Sequence, residues 1–248
     1  MYDIRNSRFV QYDYDQWIKH FLKNDRHRLQ MDFSEEKELS TEEKKLIFKS
    51  IAAFQKGEGS EGSYLLSASN TFAKIFDQSN YPHAMELFIR EENWHSAYLA
   101  RYMQFHQVEK QQKNFLDGVF RKLRQLGGIR SEVVVLVTAE IIALSYYTAL
   151  ANAASSPLLK KICGQILKDE LPHIAFQSYT LSYMKNTLLH RLARILLMEI
   201  TTVAVWIAYK DLFTAGDYSF RKLMNENLGY LKQSIQIASG KTSFSLRV

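Results

Sequence analysis

The spacing Glu-x-x-His occurs twice in a way that suits metal binding in this chain of 248 residues. One pair is Glu92 with His95, and the other is Glu170 with His173. Residues three apart project from the same side of an α-helix, so each pair can offer a carboxylate and an imidazole to one metal ion. Two such pairs, with one glutamate from each of two further helices, form the ligand set of a dinuclear site in a four-helix bundle. The chain must therefore supply two more buried glutamates.

The apolar stretch from Ser131 to Ala154 supplies one of them. Its apolar residues keep a helical spacing, and Glu140 is the only carboxylate in it after Glu132. Glu140 precedes Glu170 by 30 residues. At a rise of about 1.5 Å per residue, a gap of that length lets the chain finish one helix, turn and return to the same level on the next. We therefore predict Glu140 as a ligand.

The other glutamate has two candidates. The stretch from Thr41 to Phe76 is predicted as one helix, and Glu58 and Glu61 both fall in its apolar stripe. Glu61 lies 31 residues before Glu92, which is close to the gap of 30 in the second half of the chain. We predict Glu61 as the ligand and keep Glu58 as the alternative. Three glycines between positions 57 and 62 allow either close helix packing or space for oxygen or substrate.

The predicted ligand set contains four glutamates and two histidines. It comprises Glu61, Glu92, His95, Glu140, Glu170 and His173. Oxygen and imidazole donors without a thiolate favour iron or manganese and disfavour structural zinc. Burying four carboxylates without cations would cost several kcal/mol each, and four carboxylates balance the charge of two divalent ions. The set therefore predicts two metal ions, either two irons or a manganese and an iron, and the same six residues are the predicted catalytic residues.

Two further carboxylates stand next to predicted ligands. Asp169 directly precedes Glu170, and Glu91 directly precedes Glu92. From these positions each can accept the outer N–H of a ligand histidine on a neighbouring helix and so orient its ring. The alternative for each is an exposed helix carboxylate, which fits Glu91 better than Asp169.

Other residues of suitable type are not predicted as ligands. Tyr147 follows Glu140 by two helical turns and is predicted to pack in the core rather than to carry a radical or a proton. His106 is predicted to be a packed or surface histidine, and Glu199 a surface group or a neighbour of the ligands. Pro172 removes one backbone hydrogen bond from its helix, which predicts a kink.

The rest of the chain is predicted to cover and extend this bundle. We divide it into a covering segment (1–40), a di-metal four-helix bundle (41–185) and additional helices and a tail of the same domain (186–248). A polar helix is predicted over 109–126, outside the bundle. Only three prolines and ten glycines interrupt the chain, and 46% of its residues are hydrophobic, which favours a single all-α domain.

Composition also bears on location and partners. The net charge of +6 favours an anionic substrate, carrier or partner, although a solvated basic surface is the common alternative. The single cysteine, Cys163, excludes an intramolecular disulfide, and the first thirty residues lack the order of a secretory signal, so we expect a cytoplasmic protein. We interpret the apolar runs 195–209 and 133–154 as buried helices rather than membrane spans.

The residues around the two pairs resemble a known family. The segment from Glu91 to His95 reads Glu-Glu-Asn-Trp-His and is similar to the Glu-Glu-Asn-Arg-His motif of the soluble acyl-carrier-protein desaturases, which are ferritin-like di-iron carboxylate proteins. The segments 162–164 and 169–173 look like the Ile-Cys-Gly and Asp-Glu-Lys-Arg-His segments of the same family. Trp94 and Pro172 replace the arginine of the two motifs. These departures concern the substrate and its carrier rather than the metal site.

The resemblance covers about half of the chain, from 61 to 181, and implies a ferritin-like four-helix bundle with additional flanking helices. It also implies that the six predicted ligands bind iron and that the protein is a dioxygen-dependent di-iron oxidoreductase, a monooxygenase or a desaturase. Such an enzyme takes O2 as co-substrate and an external electron donor such as a ferredoxin. If the resemblance extends to the reaction, the substrate is a fatty acyl chain on an acidic acyl carrier protein. We expect no membrane span and a homodimer.

Two alternatives remain at this point. The first is another ferritin-like di-iron enzyme: an amine N-oxygenase, an RNA hydroxylase, or an oxidase similar to the small subunit of ribonucleotide reductase. The second is iron storage or detoxification without an organic substrate. The additional helices and the basic net charge disfavour storage.

Overall fold

The computed structural model describes residues 2–59, 62–108 and 128–239. Within these ranges there is no β-strand, and the regular structure consists of eight α-helices and two short 3-10 helices. The α-helices are α1 (Tyr14–Arg26), α2 (Thr41–Glu58), α3 (Ser63–Phe76), α4 (Tyr81–Phe105), α5 (Gly128–Ala153), α6 (Pro157–Leu181), α7 (Leu188–Ala215) and α8 (Phe220–Ser239). The predicted all-α fold class is confirmed, and the helices form a bundle.

Four of these helices surround the interior that carries the predicted ligands. Helices α5 and α6 form the most extensive contact, and a loop of three residues joins them, so they run antiparallel. Helix α2 packs on α4, and α4 contacts α6. Helix α1 covers α4, α7 packs against α5, and α8 packs against α5, α6 and α7. The additional helices thus lie around the four-helix core.

Local sequence signals explain where the core helices begin. The Ser40 hydroxyl accepts a hydrogen bond from the backbone N–H of Glu43 at 3.1 Å, which caps α2. The Ser156 hydroxyl accepts one from the N–H of Leu159 at 2.9 Å, and Pro157 occupies the first position of α6. Helix α6 then continues through Pro172 to Leu181. These two caps set the start of helices on opposite sides of the site.

The stretch from Thr41 to Phe76 is two helices, so the prediction of one continuous helix was wrong. Helix α2 ends at Glu58 and α3 begins at Ser63. Gly62 has a φ of 67°, a left-handed conformation that glycine adopts readily and that a right-handed helix does not contain. A Cβ at this position would also lie 2.7 Å from Cδ1 of Ile89. The apolar spacing continues across the break between α2 and α3, so it does not indicate the break in the sequence.

Helices α5 and α7 are both long and apolar enough to cross a membrane by length and composition. For α5, 78% of the most apolar window is buried, which confirms its interpretation as a core helix. For α7 only 28% of the most apolar window is buried in the single chain. The prediction that the run 195–209 is a buried helix was therefore wrong. One mostly buried apolar helix and one surface helix are compatible with a soluble protein. The helix predicted over 109–126 lies outside the described residues.

A glycine at the end of α7 allows a close approach that we expect to be essential for stability. A Cβ on Gly216 would lie 2.6 Å from Cα of Ala149 and would collide with the Ala149 carbonyl oxygen. Gly216→Ala should therefore lower the free energy of unfolding by about 2–3 kcal/mol, seen as a fall in Tm of roughly 5–10 °C. Gly164→Ala is the control, because its Cβ would meet no described atom within 4 Å. Equal melting temperatures for the two variants would contradict this account.

Candidate metal centre

The structure brings six titratable side chains together in the interior of the bundle. This cluster consists of Glu58, Glu92, His95, Glu140, Glu170 and His173. Helix α4 supplies one Glu-x-x-His pair and α6 the other, while α2 and α5 supply one glutamate each. Five of the six predicted ligands are therefore in one place. The sixth, Glu61, lies outside the described residues, and its alternative Glu58 is the glutamate that the structure places in the cluster.

The cluster divides into two groups, in each of which one ligand atom per residue lies within 4.8 Å of all the others. The first group is Glu58, Glu92, His95 and Glu170, and the second is Glu92, Glu140, Glu170 and His173. Glu92 and Glu170 belong to both groups, so each can bridge two ions. The remaining glutamate and histidine of each group are then ligands of one ion only. This arrangement is compatible with the carboxylate-bridged pair of metal ions that the sequence predicts.

The distances within the groups suit metal coordination. The Nδ1 atom of His173 lies 3.0 Å from Glu92 Oε1 and 3.6 Å from Glu140 Oε2, and the Nδ1 atom of His95 lies 3.4 Å from Glu170 Oε1. Two atoms that bind one ion at about 2.1 Å are roughly 3.0–3.5 Å apart. The side chains therefore need little rearrangement to bind ions between them.

Several ligand atoms of the cluster have no hydrogen-bond partner among the described residues. They are Nδ1 of His95, Nδ1 of His173, Oε1 of Glu92 and both carboxylate oxygens of Glu170. All of these atoms are buried, and a buried polar atom without a partner costs about 1–3 kcal/mol. Such atoms are rare in native proteins, and here five of them point at one another. Cations between them would satisfy all five, so these residues fit a metal site.

The outer nitrogen of each histidine contacts a carboxylate on the opposite helix, as predicted. His95 Nε2 lies 3.1 Å from Asp169 Oδ2, and His173 Nε2 lies 2.7 Å from Glu91 Oε2. The amide of Gln165 also donates to Asp169, at 2.9 Å. Glu91 and Asp169 are both buried, so the alternative of exposed carboxylates is wrong for both. An N–H donated from Nε2 leaves Nδ1 of each ring available to a metal ion.

No protein-family model, curated protein or solved structure matches this chain. The buried carboxylate and histidine cluster in an all-helical chain is compatible with a di-iron site by its geometry. The more specific resemblance to desaturases stays a prediction.

Tyr147 contacts a predicted ligand through its hydroxyl. The side chain is fully buried, as predicted for a core residue, and its O–H donates to Glu58 Oε1 at 2.7 Å. The sequence analysis did not assign this contact. The signal for it was the seven-residue spacing from Glu140, which places both side chains on one face of α5. Tyr147 therefore orients Glu58 in addition to filling the core.

Two other buried polar residues lie outside the cluster. His106 contacts Glu36 through Nε2 at 3.1 Å and is a packed histidine, one of the two forms predicted for it. Gln177, one helical turn after His173, is fully buried, and neither its amide oxygen nor its amide nitrogen has a partner among the described residues. Sequence analysis missed Gln177, although its spacing of seven from Glu170 places it on the ligand face of α6.

The carboxylates of the cluster have shifted pKa values in the metal-free protein. Burial raises the pKa of Glu58 and of Glu140 well above the ordinary range, and the nearby charges of Glu92 and Glu170 raise both further. Burial also opposes ionisation of Glu170, but its contacts with Glu140 and the two histidines outweigh burial and lower its pKa. Without metal, Glu58 and Glu140 therefore hold their protons to higher pH than an ordinary glutamate does.

The two histidines respond to the same carboxylates. Burial would lower the pKa of His95, but Asp169 and Glu170 outweigh burial and raise it well above the ordinary value. For His173, burial is likewise outweighed by carboxylates that include Glu170 and Glu91. Protons thus replace cations in the metal-free cluster. Metal binding must release these protons, so metal affinity should increase with pH.

One cleft reaches the centre, and a separate cavity lies away from it. A cleft between α1, α4 and α6 reaches the outer side of His95, where Asp169 and Glu91 lie, and has Arg28 and Arg90 in its lining. A cavity of about 210 Å³ lies between α5, α6 and α8, and its lining includes no cluster residue. Its walls mix leucines with hydroxyl groups and Glu226. It is below the roughly 300 Å³ at which ligand pockets begin, and it is not a long apolar tunnel.

The contact between Asp169 and His95 leads to a testable prediction. Asp169→Asn should weaken metal binding at the group that contains His95 by about 10–100-fold, because the amide cannot hold the imidazole N–H as a carboxylate does. Anaerobic calorimetric titration with Mn(II) measures this affinity.

The other half of the cluster provides the matched comparison. Glu91→Gln should weaken the group that contains His173 instead, and Glu86→Gln, at an exposed position of α4, should change neither affinity. Unchanged Mn(II) binding in both Asp169→Asn and Glu91→Gln would contradict the role of these carboxylates.

Proposed function

We propose that the protein is a dioxygen-activating di-iron oxidoreductase that acts on an organic substrate. One observation carries this proposal: the two groups of ligand atoms share Glu92 and Glu170. Sharing would place two ions next to each other, within reach of one substrate molecule. A structural metal site needs one ion and a closed set of ligands, and thiolates are its common donors.

The donor set supports iron as the metal. Each group offers three carboxylates and one imidazole, which are suited to iron or manganese. Two irons bound in this way would supply the activation of O2, which side chains alone do not provide. Carboxylates can bind an ion through one oxygen or two, so the same residues can open and close coordination positions as the reaction proceeds.

The chain's own residues have separate tasks in this proposal. Glu91 and Asp169 hold the two imidazoles in the orientation that directs Nδ1 at the ions. Tyr147 holds Glu58 and can pass a proton to it. Phe88 packs against His173 with ring centroids 4.8 Å apart, and aromatic side chains on this side of the cluster exclude water from it.

The substrate is proposed as an organic molecule with a polar group. The amide of Gln177, which has no partner among the described residues, offers a hydrogen-bond donor and an acceptor one turn away from His173. The cavity beside α8 has no cluster residue in its lining, so the reaction is proposed as either oxygen insertion or desaturation. For the electron donor we propose an external protein such as a ferredoxin.

Metal content and oxygen consumption test the proposal together. Protein purified from iron-supplemented cells should contain about two irons per chain by elemental mass spectrometry. After anaerobic reduction and mixing with air, it should consume O2 in proportion to bound iron, and addition of more Fe(II) should not continue the consumption without an electron donor. Oxidation of many Fe(II) ions per chain would show iron storage instead. Zinc alone, or less than one metal per chain, would contradict an oxygen-activating centre.

A further inference from the structure

The exposed face of α7 is the largest apolar feature on the surface of the described chain. Twelve large hydrophobic side chains are exposed among the described residues, and seven of them lie on this helix. They are Leu188, Leu189, Leu192, Leu196, Ile200, Val203 and Ile207. Scattered exposed hydrophobic residues are ordinary, but a continuous row marks a contact surface.

The spacing of this row is that of a helix that pairs with another helix. Exposed apolar residues occur at 189, 193, 196, 200, 203 and 207, in alternating steps of four and three. This is the heptad spacing of the a and d positions in a coiled coil, with a period of 3.5 residues. The second position of the row is Ala193, whose small side chain lets a second backbone approach closely. This narrow row is therefore better suited to packing against another helix than against a flat surface.

The steps of this row are the same when counted from either end of the helix. Its centre is position 198, so an antiparallel copy of α7 brings 189 against 207 of the partner, 193 against 203, and 196 against 200. Each layer then pairs an a position with a d position, as antiparallel helix packing requires. A two-fold contact needs a surface that is complementary to itself, and this row has that property.

The exposed area is also of the right size. The seven side chains leave the equivalent of about four whole Leu or Ile side chains in solvent. At roughly 150 Å² for a large apolar side chain, this is about 600 Å² per copy. A stable interface takes about 800 Å² from each partner, so the row together with the adjoining Leu188 and Leu192 supplies most of one.

We propose that α7 is the dimer interface of this protein and that it packs antiparallel against α7 of a second copy. The contact is centred near position 198 and covers the row from Leu189 to Ile207. It leaves the metal cluster of each copy complete, since no cluster residue lies on α7. This inference does not depend on the proposed function.

Sedimentation equilibrium of the full chain tests the contact. The wild-type protein should have twice the chain mass of 28.9 kDa at micromolar concentration. Leu196→Glu, at a position 58% exposed, should weaken association by about 100-fold or more, because a carboxylate would be buried at the centre. Ile75→Glu, at a position 65% exposed on α3, is the matched control and should leave the dimer intact. Far-UV circular dichroism of both variants verifies their folding.

Cysteine cross-linking tests the direction of the pairing. The double variant Leu189→Cys with Ile207→Cys should form interchain disulfides on mild oxidation. Either single variant should not, because the two copies of one position lie about 27 Å apart and a disulfide needs Cα atoms within about 7 Å. Cys163 is buried and gives no background.

Three results would overturn the proposal. One is a wild-type protein that stays monomeric even at a concentration of about 100 µM, whether or not it binds vesicles of anionic phospholipid. Another is a dimer that Leu196→Glu leaves unchanged. The third is disulfide formation in the Leu189→Cys single variant, which would show parallel pairing.

Discussion

Glu170→Ala is expected to abolish binding of both metal ions, whereas Glu140→Ala should abolish only one. Glu170 belongs to both ligand groups, and both of its carboxylate oxygens lack other partners. Glu140 belongs only to the group that contains His173. Elemental mass spectrometry should therefore find about two irons per chain in the wild type, about one in Glu140→Ala and almost none in Glu170→Ala.

An exposed glutamate on a core helix serves as the control for this series. Glu86→Ala on α4 removes an exposed carboxylate that lies 3.5 Å from Arg90, and it should retain both ions. If Glu170→Ala also retained two ions, Glu170 would not be a required ligand of both groups, and its assignment as a bridging ligand would be contradicted. If Glu140→Ala lost both ions, binding at the two positions would be strictly cooperative.

Glu140→Gln is expected to change stability in opposite directions with and without metal. In the metal-free protein, burial and neighbouring charge raise the pKa of Glu140, so folding at neutral pH requires a proton or an unfavourable buried charge. The neutral amide removes that requirement and should stabilise the metal-free fold by about 1–3 kcal/mol. With metal, the wild type gains about 2.7 kcal/mol per site at 100 times the dissociation constant, and the variant loses one site.

The pH dependence of stability tests the effect expected in the metal-free protein. A carboxyl group whose pKa is raised by folding favours the folded state fully below its unfolded pKa of about 4.3, and this contribution falls as pH rises toward the folded value. Metal-free wild type should therefore lose stability as pH rises above about 4.3, and Glu140→Gln should lose less. Saturating Mn(II) should raise the Tm of the wild type by roughly 5–10 °C at pH 7.

Calorimetric melting curves of the wild type and Glu140→Gln, recorded in a chelator and in excess Mn(II), test this prediction. The prediction is contradicted by a variant that is less stable than the wild type in both conditions, since that would make Glu140 an ordinary structural residue. A matched amide variant at the surface, Glu86→Gln, should shift neither curve.

Much of the metal centre follows from the local sequence. A spacing of three residues puts Glu92 with His95, and Glu170 with His173, on one helical face in any fold that keeps those segments helical. The position directly before a ligand likewise directs Asp169 and Glu91 toward the neighbouring helix. Both contacts were predicted from the sequence and are present in the structure. Glu140 could be found because it stands in the most apolar helix of the chain.

Other features depend on the backbone at single positions. The break between α2 and α3 follows from the left-handed conformation near Gly62, and apolar spacing does not report it. That same spacing left Glu58 and Glu61 as alternatives. Glu58 lies in the cluster because of where the end of α2 packs relative to α4. A local sequence pattern does not contain that information.

The sequence by itself therefore determined the all-α fold class, the two Glu-x-x-His pairs, Glu140 and the outer carboxylates, because each depends on helical geometry within a few residues. Only the tertiary structure decided that Glu92 and Glu170 are shared, that Tyr147 holds Glu58, and that Gln177 is unpaired. It also showed that α7 exposes its apolar row. These features depend on which helix faces which, and on where packing leaves a side chain without a neighbour, and such relations join residues far apart in the chain.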